Sequence, residues 1–279
     1  MKLYNPAAQL FIPDGNGAAL ARTTDLCFAA HQDDIEIMAY GPVMQCYGSA
    51  DNWFTGVVVT DGAGSPRSGI YADCTDEDMK TIRAQEQKQA AAIGKYSAQF
   101  LLAYQSGAVK APDSPALERE LADIILACGP RTVYTHNLAD KHDTHVAVAL
   151  HVIRALRLLP ADKRPERLVS LEVWRGLDWL CDEDKLCFDT SGHPNVAAAL
   201  LGVYDSQIAG GKRYDLAAIG RRLANATFFA SHAVDECDSI TFGLDITALM
   251  DGDADPTAFI DGYIQKFRDE VSERIARLS

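Results

Sequence analysis

The sequence predicts an α/β fold in which a largely parallel sheet is covered by helices on both faces. Short apolar, β-branched runs such as WFTGVVVT at 53–60 alternate with longer segments of helical pattern. This alternation is typical of βαβ units and of parallel sheets. The 279 residues include no internal repeat and no low-complexity linker, so we expect one domain.

Each predicted element rests on a local pattern. The predicted strands are apolar or β-branched runs at 25–30, 53–60, 98–104, 132–135, 168–174 and, as a late edge strand, 241–246. The predicted helices are 34–47, 75–94, 114–128, 146–156, 196–208, 216–229 and 256–278. Their ends are marked by Gly48, by the capping pair Thr75 and Asp78, and by Pro115 in a first turn. Residues 1–22, rich in proline and glycine, predict an irregular lead-in.

Charge and composition argue against several classes of protein. With 26 basic and 39 acidic residues the net charge is -13, so the surface should repel nucleic acid and anionic membranes. No apolar window is long enough for a membrane insertion, and the first residues lack the apolar core of a signal peptide. Seven cysteines without a CxxC motif favour reduced, buried thiols. We therefore expect a cytoplasmic protein.

One imidazole and two adjacent carboxylates stand where the first predicted strand, 25–30, meets its helix. They are His31, Asp33 and Asp34, and a third acid, Glu36, follows. Ligands bind at the carboxyl edge of an open α/β sheet, which is where such a junction lies. A histidine and one aspartate can hold a divalent cation, leaving the other aspartate to act on water. The alternative is that acids at a helix start serve only capping and the helix dipole.

A second polar cluster follows another short predicted strand and precedes another helix. Its His142 and His145 are three apart and point to one side of a helical turn. Catalytic zinc sites typically have three protein ligands and an open position, which His31, Asp34 and one of these histidines would supply. Asp33 would accept a proton from water, and the remaining histidine would stabilise or protonate the intermediate. Either motif alone is weak, but their joint occurrence at two strand ends favours a metal site.

Both clusters resemble the motifs of a known family. AAHQDDIE at 29–36 resembles the Ala-His-Pro-Asp-Asp-Glu signature of the PIG-L (LmbE-like) zinc-dependent N-deacetylases, with Gln32 in place of proline. DKHDTH at 140–145 resembles the second signature, Asp-x-His-Pro-Asp-His. Its His-x-x-His spacing is intact, whereas the aspartate beside the last histidine has moved to Asp143 and Thr144 takes its place.

The resemblance implies a set of roles. His31, Asp34 and His145 would bind Zn²⁺, although Fe²⁺ is compatible with the same ligands. Asp33 would be the general base and His142 the partner that stabilises the intermediate. The family hydrolyses acetamides on amino sugars, often N-acetylglucosamine joined to a second group.

The resemblance also bears on domain organisation and partners. It implies a Rossmann-like single domain over 1–279, with a motif core at about 24–210 and a helical C-terminal part at 211–279. It makes a homo-oligomer plausible. No organic cofactor is expected, because the first strand is not followed by a GxGxxG fingerprint.

Two further residues are candidates for substrate binding. Asp61, in the Thr-Asp-Gly segment at 60–62, matches the family's strand-end loop, and its alternative role is to form the turn. Arg83 begins an Arg-x-x-Glu helix segment that also resembles the family. Spaced i, i+3, Arg83 and Glu86 are equally compatible with a pair on the helix surface, which is the favoured interpretation for Glu86.

The functional hypothesis is a metal-dependent hydrolase that removes an acetyl group from a small N-acetyl sugar conjugate. Two alternatives stay open. One is a catalytically silent sugar-binding or regulatory protein on the same fold, and the other is a deacylase that acts on a non-sugar amide. Metal analysis followed by measurement of acetate release separates the three.

Overall fold

Eight strands form one mixed sheet in the computed structural model, which describes residues 1–279. In chain order they are Gln9–Phe11 (β1), Asp25–Ala29 (β2), Phe54–Thr60 (β3), Ala98–Tyr104 (β4), Thr132–His136 (β5), Arg167–Leu171 (β6), Leu186–Asp189 (β7) and Ile240–Asp245 (β8). Across the sheet the order is β1-β4-β3-β2-β5-β6-β8-β7. The five strands from β4 to β6 are parallel, whereas β1 and β8 pair antiparallel to their neighbours. The predicted largely parallel sheet is confirmed.

Ten helices connect the strands. They are Asp34–Met38 (α1), Tyr40–Cys46 (α2), Asp76–Ile93 (α3), Ser106–Val109 (α4), Pro115–Cys128 (α5), Asp143–Leu158 (α6), Pro194–Gly202 (α7), Asp205–Ile208 (α8), Tyr214–Phe228 (α9) and Pro256–Leu278 (α10). None of them combines the length and apolar character that a membrane-spanning helix needs.

Helices cover both faces of the sheet because side chains of each central strand alternate between two cores. In β2, Leu26 and Phe28 point into one core, together with residues of α5, α6 and α10. Cys27 and Ala29 point into the other, with residues of α1, α2, α3 and α7. Burial on both faces explains why the central strands read as continuous apolar runs rather than as alternating patterns.

Several predicted boundaries are wrong, each for a local reason. The helix predicted at 34–47 is two helices, because Pro42 would clash with the carbonyl of Met38 in a continuous helix. The helix predicted at 196–208 is likewise split into α7 and α8. The lead-in contains the short edge strand β1, which pairs with β4. The strand predicted at the edge, β8, is interior, because β7 pairs with its free side.

The order of the strands places a crevice at the end of β2 and β5. From β2 the chain moves outward through β3 and β4 on one side, and then returns to add β5 and β6 on the other. Connecting helices therefore lie on opposite faces on either side of this border. Such a switch point is where open α/β sheets bind their ligands, outside the carboxyl ends of the strands.

The contact of α2 with the C-terminal strands gives a test of the packing. A Cβ at Gly41 would overlap Phe188 Cβ and lie 2.7 Å from Thr241 Oγ1, whereas one at Gly262 in α10 would meet nothing within 4 Å. Gly41→Ala should lower the free energy of unfolding by about 1–3 kcal/mol through overpacking. Gly262→Ala should raise it by about 0.5–1 kcal/mol, since alanine favours helix. Urea unfolding of both variants checks this, and equal shifts would contradict the packing described.

Candidate metal centre

The first motif lies in the turn between β2 and α1. Asp33 occupies the N-cap position of α1 with φ 90° and ψ -27°, a left-handed conformation that is uncommon outside glycine. Its side chain makes no capping hydrogen bond. Instead Oδ2 accepts a hydrogen bond of 3.0 Å from Nη2 of Arg83. Capping therefore does not explain the carboxylate of Asp33.

Three side-chain atoms that could each donate an electron pair to a metal ion converge at the end of β2; we call them the donors. His31 Nδ1 lies 3.1 Å from Asp34 Oδ2 and 3.2 Å from His145 Nε2, and His145 Nε2 lies 3.4 Å from Asp34 Oδ2. Donors around one tetrahedral zinc ion, with bonds of about 2.0–2.1 Å, are about 3.3 Å apart. The near-equal spacing of these two imidazoles and one carboxylate thus fits a single small cation.

Asp140 stands behind His145. Its Oδ2 lies 3.2 Å from His145 Nδ1, and its Oδ1 accepts the backbone N–H of His142 at 2.9 Å. A carboxylate on the far nitrogen fixes the tautomer of a metal-ligating histidine and leaves Nε2 free to ligate. Sequence reasoning did not assign Asp140 a role, although it is the first acid of the second motif. Asp143, the displaced acid of that motif, is exposed at the start of α6.

Two more histidines surround the donors. The ring of His142, at the N-cap of α6, lies 5.0 Å from that of His31 and 4.6 Å from that of His145. His136 stacks on His145 at 4.0 Å and its Nε2 lies 3.4 Å from Asp34 Oδ2. That nitrogen accepts the backbone N–H of Ala30 at 2.8 Å, so its lone pair is occupied. Burial lowers the pKa of His136 to about 4, which keeps the ring neutral. His136 is thus a supporting residue rather than a further ligand.

Arg83 and Glu86 lie beneath the site, and the interpretation of Glu86 as part of a surface pair is wrong. Both are buried, at 1% and 6% exposure, with Nη1 of Arg83 3.1 Å from Oε2 of Glu86. Glu86 also accepts the backbone N–H of Ser206 at 2.7 Å. Arg83 further donates to the carbonyl of Gln32, beside its bond to Asp33. Arg83 therefore orients Asp33 from below.

Asp61 lies apart from this cluster. Its Oδ1 accepts the backbone N–H of Ala63, and its Oδ2 lies 3.6 Å from Nζ of Lys80. These contacts belong to the turn after β3. Arg83 lines the cavity described below and Asp61 does not. A direct contact of either residue with substrate stays a prediction.

The two neighbouring carboxyls of the first motif differ in acidity. Burial raises the pKa of Asp33 to about 6, against the lowering influence of the Arg83 guanidinium. Burial acts in the same direction on Asp34, but the facing imidazoles of His145 and His31 hold its pKa well below the usual value. One acid is suited to ligation and the other to proton transfer near neutral pH.

The donors open into a cavity of about 430 Å³, which we call the site cavity. Besides the two motifs, its lining includes Gly62, Gly64, Ser65, Pro66, Arg83, Ser106, Lys110, Val173, Trp174, Gln207, Lys212 and Tyr214. Sequence reasoning missed Lys110, Lys212 and Tyr214. They come from separate loops and helix ends, and no spacing in the sequence connects them with the motifs.

The fold has known structural relatives at low sequence identity. A conserved protein, TT1542, from Thermus thermophilus superposes with a TM-score of 0.65 and 18% identity, over 80% of this chain and 94% of the other. The N,N'-diacetylchitobiose deacetylase of Pyrococcus horikoshii gives 0.64 and 14%, over 85% and 89%. The 4-carboxy-2-hydroxymuconate hydratase of Pseudomonas putida gives 0.62 and 15%, over 80% and 96%. At these identities the likeness establishes the fold alone.

Sequence comparison is more specific than superposition. No curated protein sequence matches the chain at a significant level. Residues 26–156, however, match the family model described as PIG-L: GlcNAc-PI de-N-acetylase. Both motifs and all three converging donors lie within the matched residues. The match confirms that residues 26–156 are similar to the PIG-L (LmbE-like) family.

Proposed function

We propose that this protein is a metal-dependent hydrolase that removes an acetyl group from a small N-acetylated amino sugar or sugar conjugate. The observation that carries the proposal is the equidistant set of His31, Asp34 and His145 donors beside the buried carboxylate of Asp33. The family match supports the same chemistry. So does the structural neighbour that deacetylates N,N'-diacetylchitobiose.

We assign the metal ligands to His31, Asp34 and His145. Zn²⁺ and Fe²⁺ both suit two imidazoles and one carboxylate. When bound, such a cation polarises the amide carbonyl and lowers the pKa of water toward neutrality.

The proton transfers are assigned to side chains of the site. Asp33 accepts the proton of the attacking water, and Arg83 holds this carboxylate in position through Oδ2. The C–N bond then breaks, and the amine nitrogen takes a proton while acetate is released. His142, which lines the site cavity within 5.0 Å of His31, is placed to stabilise the intermediate or to protonate the amine.

The site cavity suits a small molecule better than a polymer. Its volume of about 430 Å³ is in the usual range for small-ligand sites, roughly 300–1,000 Å³. Trp174 and Tyr214 meet edge to face at 5.9 Å in its wall and offer apolar surface to a pyranose ring. A sugar is therefore favoured over a non-sugar amide, and the net charge of -13 disfavours nucleic acid.

The experiment that tests the function measures metal content and acetate release together. Purified protein is loaded with zinc or ferrous iron and assayed on N-acetylglucosamine conjugates and on non-sugar acetamides. Release from the sugars supports the proposal, and release from the other amides alone favours the second alternative. Bound metal without acetate release from any substrate would favour a silent binding protein. One structural neighbour is a hydratase, so the fold does not replace this measurement.

Replacing the proposed base should abolish turnover without loss of metal. Asp33→Asn is expected to lower kcat by roughly 10²–10⁴-fold, the usual contribution of general-base catalysis. The metal content should stay at the wild-type level, since Asp33 is not an assigned ligand. Asp143→Asn, which alters an exposed acid of the second motif, is the matched control and should keep wild-type activity. Wild-type turnover in Asp33→Asn would exclude the proposed role.

Asp140 should matter for metal affinity rather than for the fold. Asp140→Asn removes the charge 3.2 Å from His145 Nδ1 and keeps an oxygen for the backbone N–H of His142. We expect the zinc affinity to fall by roughly 10–100-fold, as for other partners of metal-bound histidines. Competition with a chromogenic chelator measures this, with Asp143→Asn again as the control. Unchanged affinity in a folded Asp140→Asn variant would refute the assignment of Asp140.

A further inference from the structure

A second cavity of about 270 Å³, which we call the side cavity, adjoins the site cavity. The two share Ile37, Val173, Trp174 and Tyr214 in their walls. The far wall of the side cavity comes from α9 and β8, which lie beyond the residues that match the family model. This wall therefore belongs to the part of the chain for which the family match assigns no role.

Buried polar atoms without partners are concentrated around the side cavity. The protein has twelve such side-chain atoms, and five of them belong to residues that line the side cavity. They are Glu172 Oε1, Trp174 Nε1, Thr241 Oγ1, and Nε and Nη1 of Arg222. Buried polar groups are nearly always hydrogen-bonded in folded proteins, so such a cluster indicates a bound ligand or water. The volume accommodates roughly nine water molecules, enough for a small organic anion.

Arg222 is the strongest indication of what the ligand is. Its side chain is 3% exposed and forms no ion pair. Nη2 donates to the carbonyls of Glu36 and Ile37, and the ring of Tyr40 covers the guanidinium at 4.2 Å. The hydrogen bonds to the end of α1 account for the position of Nη2, but Nε and Nη1 have no acceptors. A buried cation without a counter-ion is unfavourable, and an anion in the side cavity would supply one.

We propose that the side cavity binds a carboxylate group through Nε and Nη1 of Arg222. Thr241 Oγ1 and Trp174 Nε1 supply further hydrogen-bond donors in the same cavity. A monoanion is favoured over a doubly charged phosphate, because Glu172 also faces the side cavity. Burial raises the pKa of Glu172 to about 7, so its carboxyl can be protonated and donate from Oε1.

The carboxylate has two possible sources. One is the acetate released in the adjoining site cavity, and this source rests on the proposed deacetylation. The other is a carboxylate substituent carried by the substrate itself. Both use the same contacts with Arg222, and binding of the carboxylate does not itself require turnover.

Titration of isotope-labelled acetate, followed by nuclear magnetic resonance, tests the binding directly. It is carried out on zinc-loaded protein and again after chelator treatment, which removes acetate binding at the metal. Arg222→Met should weaken the metal-independent binding roughly 10–100-fold, the effect of losing hydrogen bonds to a charged group. Arg157→Met is the matched control, because Arg157 also donates to two backbone carbonyls but lies away from the side cavity.

A second pair of ligands distinguishes the sources. N-acetylmuramic acid is N-acetylglucosamine with an added lactyl ether, which carries one carboxylate. If acetate binding depends on Arg222, the side cavity accepts the free acid product. If only the lactyl ether gains affinity in an Arg222-dependent way, the side cavity accepts a substrate substituent.

The variants distinguish a failure of the inference from a failure to fold and from a failure of the proposed function. If Arg222→Met fails to fold, Thr241→Val removes one donor without touching α1 and should weaken binding a few-fold. The inference would be overturned if every folded variant bound acetate as tightly as the wild type does, and the lactyl ether likewise. Arg222-dependent binding without any deacetylation would leave the inference standing and reject the proposed function.

Discussion

The parallel pairing of β2 with β5 is the constraint on which the site depends. It joins Asp25 with Thr132, Leu26 with Val133 and Cys27 with Tyr134, and so brings two motifs more than a hundred residues apart to one edge. The donors they contribute are only 3.1–3.4 Å from one another. A slip of one residue would move a strand end by about 3.3 Å and turn each side chain to the opposite face. Burial of both faces of the sheet therefore defines the spacing of these side-chain atoms.

A buried network below the sheet edge holds the carboxylate of Asp33, the proposed base. Asp33 adopts a left-handed backbone conformation, which persists only where the surroundings impose it. Arg83 supplies that constraint by bonding both the carboxylate of Asp33 and the carbonyl of Gln32. Arg83 is itself held by Glu86, which the backbone of Ser206 in α8 fixes in turn. Buried charges are tolerated only when they are paired and hydrogen-bonded, as these are.

The sequence predicted correctly those features that are determined by residues close together in the chain. The strand-helix alternation and the two polar motifs were readable because each is set within a few residues. The burial of Glu36 was not, since its carboxylate accepts hydrogen bonds from Tyr96 and Tyr204, 60 and 168 positions away. Glu86 looked like a surface residue for the same reason. The short strand β7 has no signal of its own, because its pairing with β8 alone makes Leu186–Asp189 extended.

The C-terminal part of the chain contacts the proposed metal centre through α1. This helix has five residues, too few to be stable alone, and it carries Asp34 in its first turn. Its last carbonyls, at Glu36 and Ile37, accept hydrogen bonds from Arg222 of α9. The same guanidinium lines the side cavity. An anion bound there would contact the guanidinium that supports α1. Occupancy of the side cavity would therefore be connected, through one side chain, with the position of Asp34, a proposed metal ligand.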